Sequence, residues 1–169
     1  MENILRIDVG AMGGPSAVIS PVGRYSGLGG RAMTSTMVWE EVPPACDPLG
    51  PENKLILAPG MMSGSAATTS GRLSVGCKSP LTGGIKEANT GGQASQYLAR
   101  LGFAAVVLEG ERKNDDLYKV LIDKNGVKIS LCNEFRMLGN YDLVEKIKSE
   151  HGDKVAVISI GPAGEQGFA

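Results

Sequence analysis

Only three cysteines, one histidine, one tryptophan and three phenylalanines occur among the 169 residues, and each scarcity closes off a class of protein. Cys46, Cys77 and Cys132 are far apart and form no C-x-x-C pair, which argues against a disulfide framework and against a self-contained zinc or iron-sulfur site. His151 is the lone histidine and follows a predicted helix, so it is read as a partner of that helix's C-terminus and not as part of a catalytic triad. Positive charge is not in excess either: 17 Lys and Arg stand against 18 Asp and Glu, leaving no basic field to hold a nucleic-acid backbone. So few large aromatics also leave little for base stacking, and nucleic acid is excluded as a partner. Nowhere do some eighteen apolar residues run together, and "MENILRIDVGAMGG" has no basic region followed by a long apolar run. Neither a membrane span nor an export signal is predicted, and a cytoplasmic location is expected.

Glycine, by contrast, is abundant: 24 residues, about twice the usual share. With 42% hydrophobic and 21% charged residues the chain has the composition of a globular protein, and its length suits a single domain, residues 1–169, with a real core. "NILRIDV" and "SAVISPV" read as two strands of a hairpin closed by "GAMGG". From Gly27 onward Leu28, Ala32, Ser35, Trp39 and Val42 recur at helical spacing and predict a helix with that stripe on one face, stopped by "VPP". "KLILA" and "RLSVGC" read as strands, "QASQYLARLG" as a short helix ending at Gly102, and "AAVVLEG", "LYKVLID" and "GVKISL" as three more strands. "YDLVEKIKSEHG" is an amphipathic helix and "KVAVISIG" a buried strand. The order predicts an α+β fold of mixed β-sheets with a few short helices, with a hint of internal duplication.

Residues 70–92, "SGRLSVGCKSPLTGGIKEANTGG", hold the densest run of candidate chemistry. Its Gly-Gly pairs serve tight turns in the bland reading. In the functional reading "NTGG" opens a helix whose unpaired N–H groups favour an anion, Arg72 offers a guanidinium fork, and Asn89 lends a carbonyl to a hard cation. A rival pattern, "GLGGRA" at 27–32, matches a G-x-G-x-x-A dinucleotide fingerprint, although its strand is displaced and the expected acid falls in a Pro-rich loop near Asp47. The adjacent acids Glu40, Glu41, Asp115 and Asp116 are read as solvated faces, and Met12, Met33, Met37, Met61 and Met62 as core filling.

The strings "GLGGRAM", "PPACDPLGPENKLILAPGMMSGS", "SGRLSVGCKSPLTGGIKEANTGG", "LARLGFAAVVLEG" and "VAVISIGPAGE" together resemble the N-terminal domain of the aldehyde:ferredoxin oxidoreductase family, tungsten or molybdenum pterin enzymes. The resemblance implies a domain of two related β-rich halves, the second incomplete here, forming a base for a bis-pterin. It implies oxidation of an aldehyde to a carboxylic acid at the metal, with electrons leaving through a 4Fe-4S cluster to ferredoxin. By motif, Arg72 is similar to the arginine that bridges pterin and cluster. Asn89 matches the residue whose main-chain carbonyl binds the magnesium joining the pterin phosphates, and Gly91 belongs to the same cradle. Arg31 falls in a further family motif without an assigned contact. No cysteine here matches a cluster ligand, so the resemblance places the cluster and the catalytic domains on a missing or separate chain, with this chain alone inactive. A homo-oligomer or a covering partner chain is also expected, and a non-catalytic scaffold derived from the fold is the alternative.

Overall fold

Residues 1–168 are described by a computed structural model, whose internal contacts divide the chain into two units, Met1–Lys113 and Asn114–Ala169. The first unit begins with the expected hairpin: β1 (Asn3–Asp8) pairs antiparallel with β2 (Ser16–Pro21) across the glycine-rich turn. A 3-10 turn, Gly23–Tyr25, then leads into α1 (Gly30–Glu41). Next come β3 (Leu55–Pro59), β4 (Leu73–Lys78), β5 (Ile85–Thr90), α2 (Ala94–Arg100) and β6 (Phe103–Glu109). The six strands form one sheet in the order β2-β1-β6-β3-β4-β5. Only β1 and β6 are parallel; every other pair is antiparallel, giving the mixed sheet that the sequence implies.

One face of this sheet is packed by α1. Ile4, Ile56, Ala58, Ala105 and Val107 rise from the strands to meet Tyr25, Met33, Met37, Val38 and Val42. The pleat turns alternate residues to the other side, where Leu5, Leu57, Leu73 and Val106 are buried as well. The helix stripe read from the sequence is therefore rotated. Met33, Thr34, Met37 and Val38 face the sheet, while Ala32 is exposed and Trp39 is 79% exposed. Close approach explains the difference: a methyl group added at Gly76 of β4 would lie 2.5 Å from the Thr34 side chain. A narrow threonine and pliable methionines fit such a gap, and an indole does not. Met12, Met61 and Met62 are exposed and so are not core filling.

Where α1 ends, Glu41 joins a network and is not the solvated acid of the sequence reading. Arg6 donates two hydrogen bonds to its carboxylate at 2.8 and 2.7 Å, and the Tyr25 hydroxyl donates a third at 2.8 Å. Lys54 pairs with Glu109 beside it. Burial pushes the Glu41 carboxyl up, but the bonds from Arg6 and Tyr25 and the positive charges of Arg6 and Lys54 outweigh it and hold it below the usual carboxylate range. Burial, foremost, pushes the Tyr25 hydroxyl up to about 12.

The second unit contains the hairpin β7 (Tyr118–Asp123) and β8 (Gly126–Leu131), a 3-10 turn at Asn133–Phe135, α3 (Asn140–His151) and the short α4 (Gly161–Glu165). Cys132, Phe135 and Ile147 form its core, with Leu117, Leu138, Leu143, Val155 and Val157 against them. "KVAVISIG" is not the buried strand expected of it. Residues 154–160 pair with no described strand, and Ile158 and Ile160 are exposed, so the apolar run lacks the ladder that defines a strand.

The two units repeat one motif: hairpin, 3-10 turn, helix. In the first, Tyr25 N–H donates to Val22, Ser26 to Gly23 and Leu28 to Tyr25; in the second, Phe135 donates to Cys132, Arg136 to Asn133 and Leu138 to Phe135. Each copy buries the aromatic of its turn, Tyr25 or Phe135, and runs into a helix of 12 residues. The hint of duplication thus has a backbone counterpart, and in this register Tyr141 occupies the place of Arg31.

Candidate functional site

Three segments of the first unit meet at the outer edge of its sheet: the start of α1, the loop at 60–72, and β5 with the glycines that follow it. The register of β4 and β5 sets Leu73 opposite Thr90 and Ser74 opposite Asn89, which brings Arg72 beside Asn89. The Arg72 Nε donates to Asn89 Oδ1 at 2.6 Å, and Asn89 Nδ2 donates to Ser74 Oγ at 3.2 Å. A methyl added at Gly91 would lie 3.4 Å from Arg72 Nη1, and one added at Gly71 would lie 2.9 Å from the Gln96 amide. Backbone without side chains is therefore what lets these strands of the site close up.

The loop is held in place from below. Gly60 N–H donates to Arg72 O at 2.9 Å, Ser63 Oγ donates to Ser70 O at 3.2 Å, and Gly64 N–H donates to Gln96 Oε1 at 2.6 Å. Above these contacts Arg72, Asn89, Gly91 and Gly92 are exposed. No carboxylate among the described residues pairs with Arg72. The start of α1 adds polarity of the same sign: its N-cap, Gly29, gives no side-chain bond, and its first turn holds no acid.

Arg31 also belongs here. Its Nε donates to Glu87 Oε2 at 3.1 Å; Glu87 is on β5, two residues before Asn89 and on the same face. The Glu87 side chain is only 9% exposed, and its second oxygen, Oε1, has no donor in hydrogen-bonding geometry. The Ser74 hydroxyl first, and the Arg31 charge after burial's opposing effect, hold the Glu87 carboxyl below the usual carboxylate range.

All three residues singled out in the sequence, Arg72, Asn89 and Gly91, are thus brought together, with Arg31 nearby. Glu87 is absent from the sequence reading because "IKEANT" is assigned no element there, while Ser74 and Gln96 lie in an expected strand and an expected helix but carry no chemical role in it. "IKEANT" is the edge strand β5, and its period of two would have put Glu87 beside Asn89. The "GLGGRA" reading is corrected: α1 is entered from a 3-10 turn and not from a strand, and Asp47 accepts the Leu49 N–H at 2.9 Å within its own loop. His151 ends α3 and lies 3.5 Å from Glu150. The cysteines are free, and no group of three or more His, Cys, Asp or Glu among the described residues is placed to hold a metal.

Comparison with known proteins bears on the family and the fold. The model of the aldehyde ferredoxin oxidoreductase N-terminal domain family matches residues 4–169. A tungsten-containing aldehyde ferredoxin oxidoreductase of Thermococcus kodakarensis is 40% identical over 139 residues, covering 82% of this chain and 23% of the relative. The enzyme of the same name from Pyrococcus furiosus is 39% identical over 141 residues, with the same shares. A solved structure, the active site complex BamBC of benzoyl coenzyme A reductase with 1,5 dienoyl-CoA, superposes with a TM-score of 0.84 at 28% identity, covering 96% of this chain and 25% of that one. The chain spans about a quarter of the length of the relatives it matches. It belongs to the aldehyde ferredoxin oxidoreductase N-terminal domain family.

Proposed function

We propose that this chain is the cofactor floor of a tungsten-pterin (or molybdenum-pterin) oxidoreductase that converts aldehydes to carboxylic acids and passes electrons to ferredoxin. The observation that carries the reading is the Arg72–Asn89 pair at 2.6 Å over the bare backbone of Gly91. The residues present fit a flat, doubly phosphorylated ligand. Glycine leaves room for it to lie on the main chain, a guanidinium without an acid partner meets its anionic end, and an edge strand leaves backbone groups unpaired on its outer side. In this reading Arg72 orients the pterin, the Asn89 carbonyl is a ligand of the magnesium ion, and Gly91 keeps the floor flat. When bound, the metal-pterin group supplies the two-electron redox chemistry, and the protein supplies its position. A 4Fe-4S cluster and the substrate pocket belong to the catalytic domains on a separate or missing chain, so this chain by itself does not turn over substrate. That chain, or a second copy of this one, covers the apolar side chains exposed here, such as Met61, Met62 and Leu81.

Co-expression with the remaining part of such an enzyme tests the proposal by tungsten, molybdenum and pterin analysis of the purified complex. The expected result is metal and pterin in the wild-type complex and a loss of about tenfold or more with Arg72→Ala, since a charge-assisted fork is worth about 1.5–3 kcal/mol. A stable, cofactor-free complex in which Arg72→Ala behaves like wild type would instead establish the scaffold reading.

A further inference from the structure

We propose that Arg31 is a second anion-binding arginine of this shelf and that Glu87 is the residue that positions it, so that the site presents two guanidinium forks to one ligand with two phosphoryl groups. The inference rests on the reading of the shelf as a floor for a phosphorylated ligand. Its own ground is a symmetry of restraint. Arg72 is held through its Nε by Asn89, and Arg31 is held through its Nε by Glu87. Both holders are on β5, two residues apart on one face, which separates them by about 7 Å along an extended strand. In each arginine the bond to the strand uses Nε, and no terminal nitrogen bonds another described residue; the Arg31 side chain is 76% exposed. A fork whose stem is fixed loses little freedom on binding, which is the requirement for a strong contact to phosphate.

An ordinary surface ion pair accounts poorly for this geometry. A surface pair contributes little to stability, whereas the Glu87 side chain is nine-tenths buried beside the Ser74 hydroxyl and is held in one place between β4 and the start of α1. The contact is made through Nε alone and not as a bidentate fork on the carboxylate. A carboxylate fixed by its own strand neighbours and bonded to the arginine through Nε alone holds the stem of that arginine, which serves orientation more than stability.

Calorimetric titration of the chain with inorganic phosphate and, separately, inorganic pyrophosphate at low salt tests the proposal, with thermal unfolding of every variant as the folding control. Wild type is expected to prefer pyrophosphate by about tenfold or more, the contribution of one added charge-assisted contact. Arg31→Ala removes that preference, and Arg72→Ala weakens both anions. Glu87→Gln reduces the preference severalfold in the wild-type background and not at all in the Arg31→Ala background, a dependence that a merely structural role would not produce. Arg31→Lys, which keeps the charge but has no Nε or fork, behaves like Arg31→Ala and decides the question if Glu87→Gln fails to fold. If Arg72→Ala abolishes binding while Arg31→Ala and Arg31→Lys keep the preference, the inference falls and the shelf reading stands. Equal effects of Glu87→Gln in both backgrounds remove the positioning role. If wild type binds neither anion, the shelf reading falls and takes the inference with it.

Discussion

Met137 adopts φ +61°, the left-handed backbone region, at the place in the second copy of the motif that Gly27 fills at φ +82° in the first. A side chain in that region costs about 1–2 kcal/mol, partly offset by the extra freedom glycine gives the unfolded chain. Met137→Gly is therefore expected to stabilise the second unit by on the order of 1 kcal/mol, read from the midpoint of denaturant unfolding. Tyr25 and Glu41 make the first unit sensitive to pH at both extremes. The raised Tyr25 pKa means that its stabilising contribution is complete below about 10, the unfolded value, and is lost as pH rises through about 12. The depressed Glu41 pKa has the opposite sense: its contribution is present above the ordinary carboxylate value and is lost as pH falls through the folded one. Thermal unfolding across pH should show both losses, and Tyr25→Phe should abolish the alkaline one.

Among the elements, α1 and β5 show how far local pattern reached. The existence of α1 and its stop at the Val-Pro-Pro segment were legible, because helix periodicity and proline act locally. Its rotation was not, because the inward face is chosen by the clearance above Gly76, a residue of another strand more than thirty positions on. Gly76→Ala is expected to force Thr34 and the helix away and to cost about 1–3 kcal/mol, measurable by equilibrium unfolding. β5 escaped notice for a different reason: an edge strand need bury neither face, and five of its six residues are exposed, so no apolar alternation announces it. The same absence hid Glu87. Arg72, Asn89 and Gly91 were legible because charge, amide and bare backbone crowd one short stretch, and a family resemblance named them. That Asn89 would grip Arg72 through its side chain depended on the strand register and could not be read in advance.

At the scale of the whole molecule, every strand of the six-stranded sheet and both of its helices come from residues 1–113. A chain ending at Lys113 is accordingly expected to unfold in one cooperative step with the shelf intact, as tested by heat denaturation and by pyrophosphate titration of the shortened chain. No described helix is long and apolar enough to cross a membrane. The fold class was legible because mixed order and short apolar runs survive without any knowledge of pairing. The failure at residues 154–160 has the opposite origin, since β-rich composition does not create a neighbour to bond with. The repeated motif separates two properties that usually travel together. Position 31 carries a cation and its counterpart, position 141, a phenol ring, on helices that begin in the same way. Side-chain identity at this address is therefore decoupled from foldability: the chain holds, in Tyr141, its own built-in blank against which any property of Arg31 can be compared.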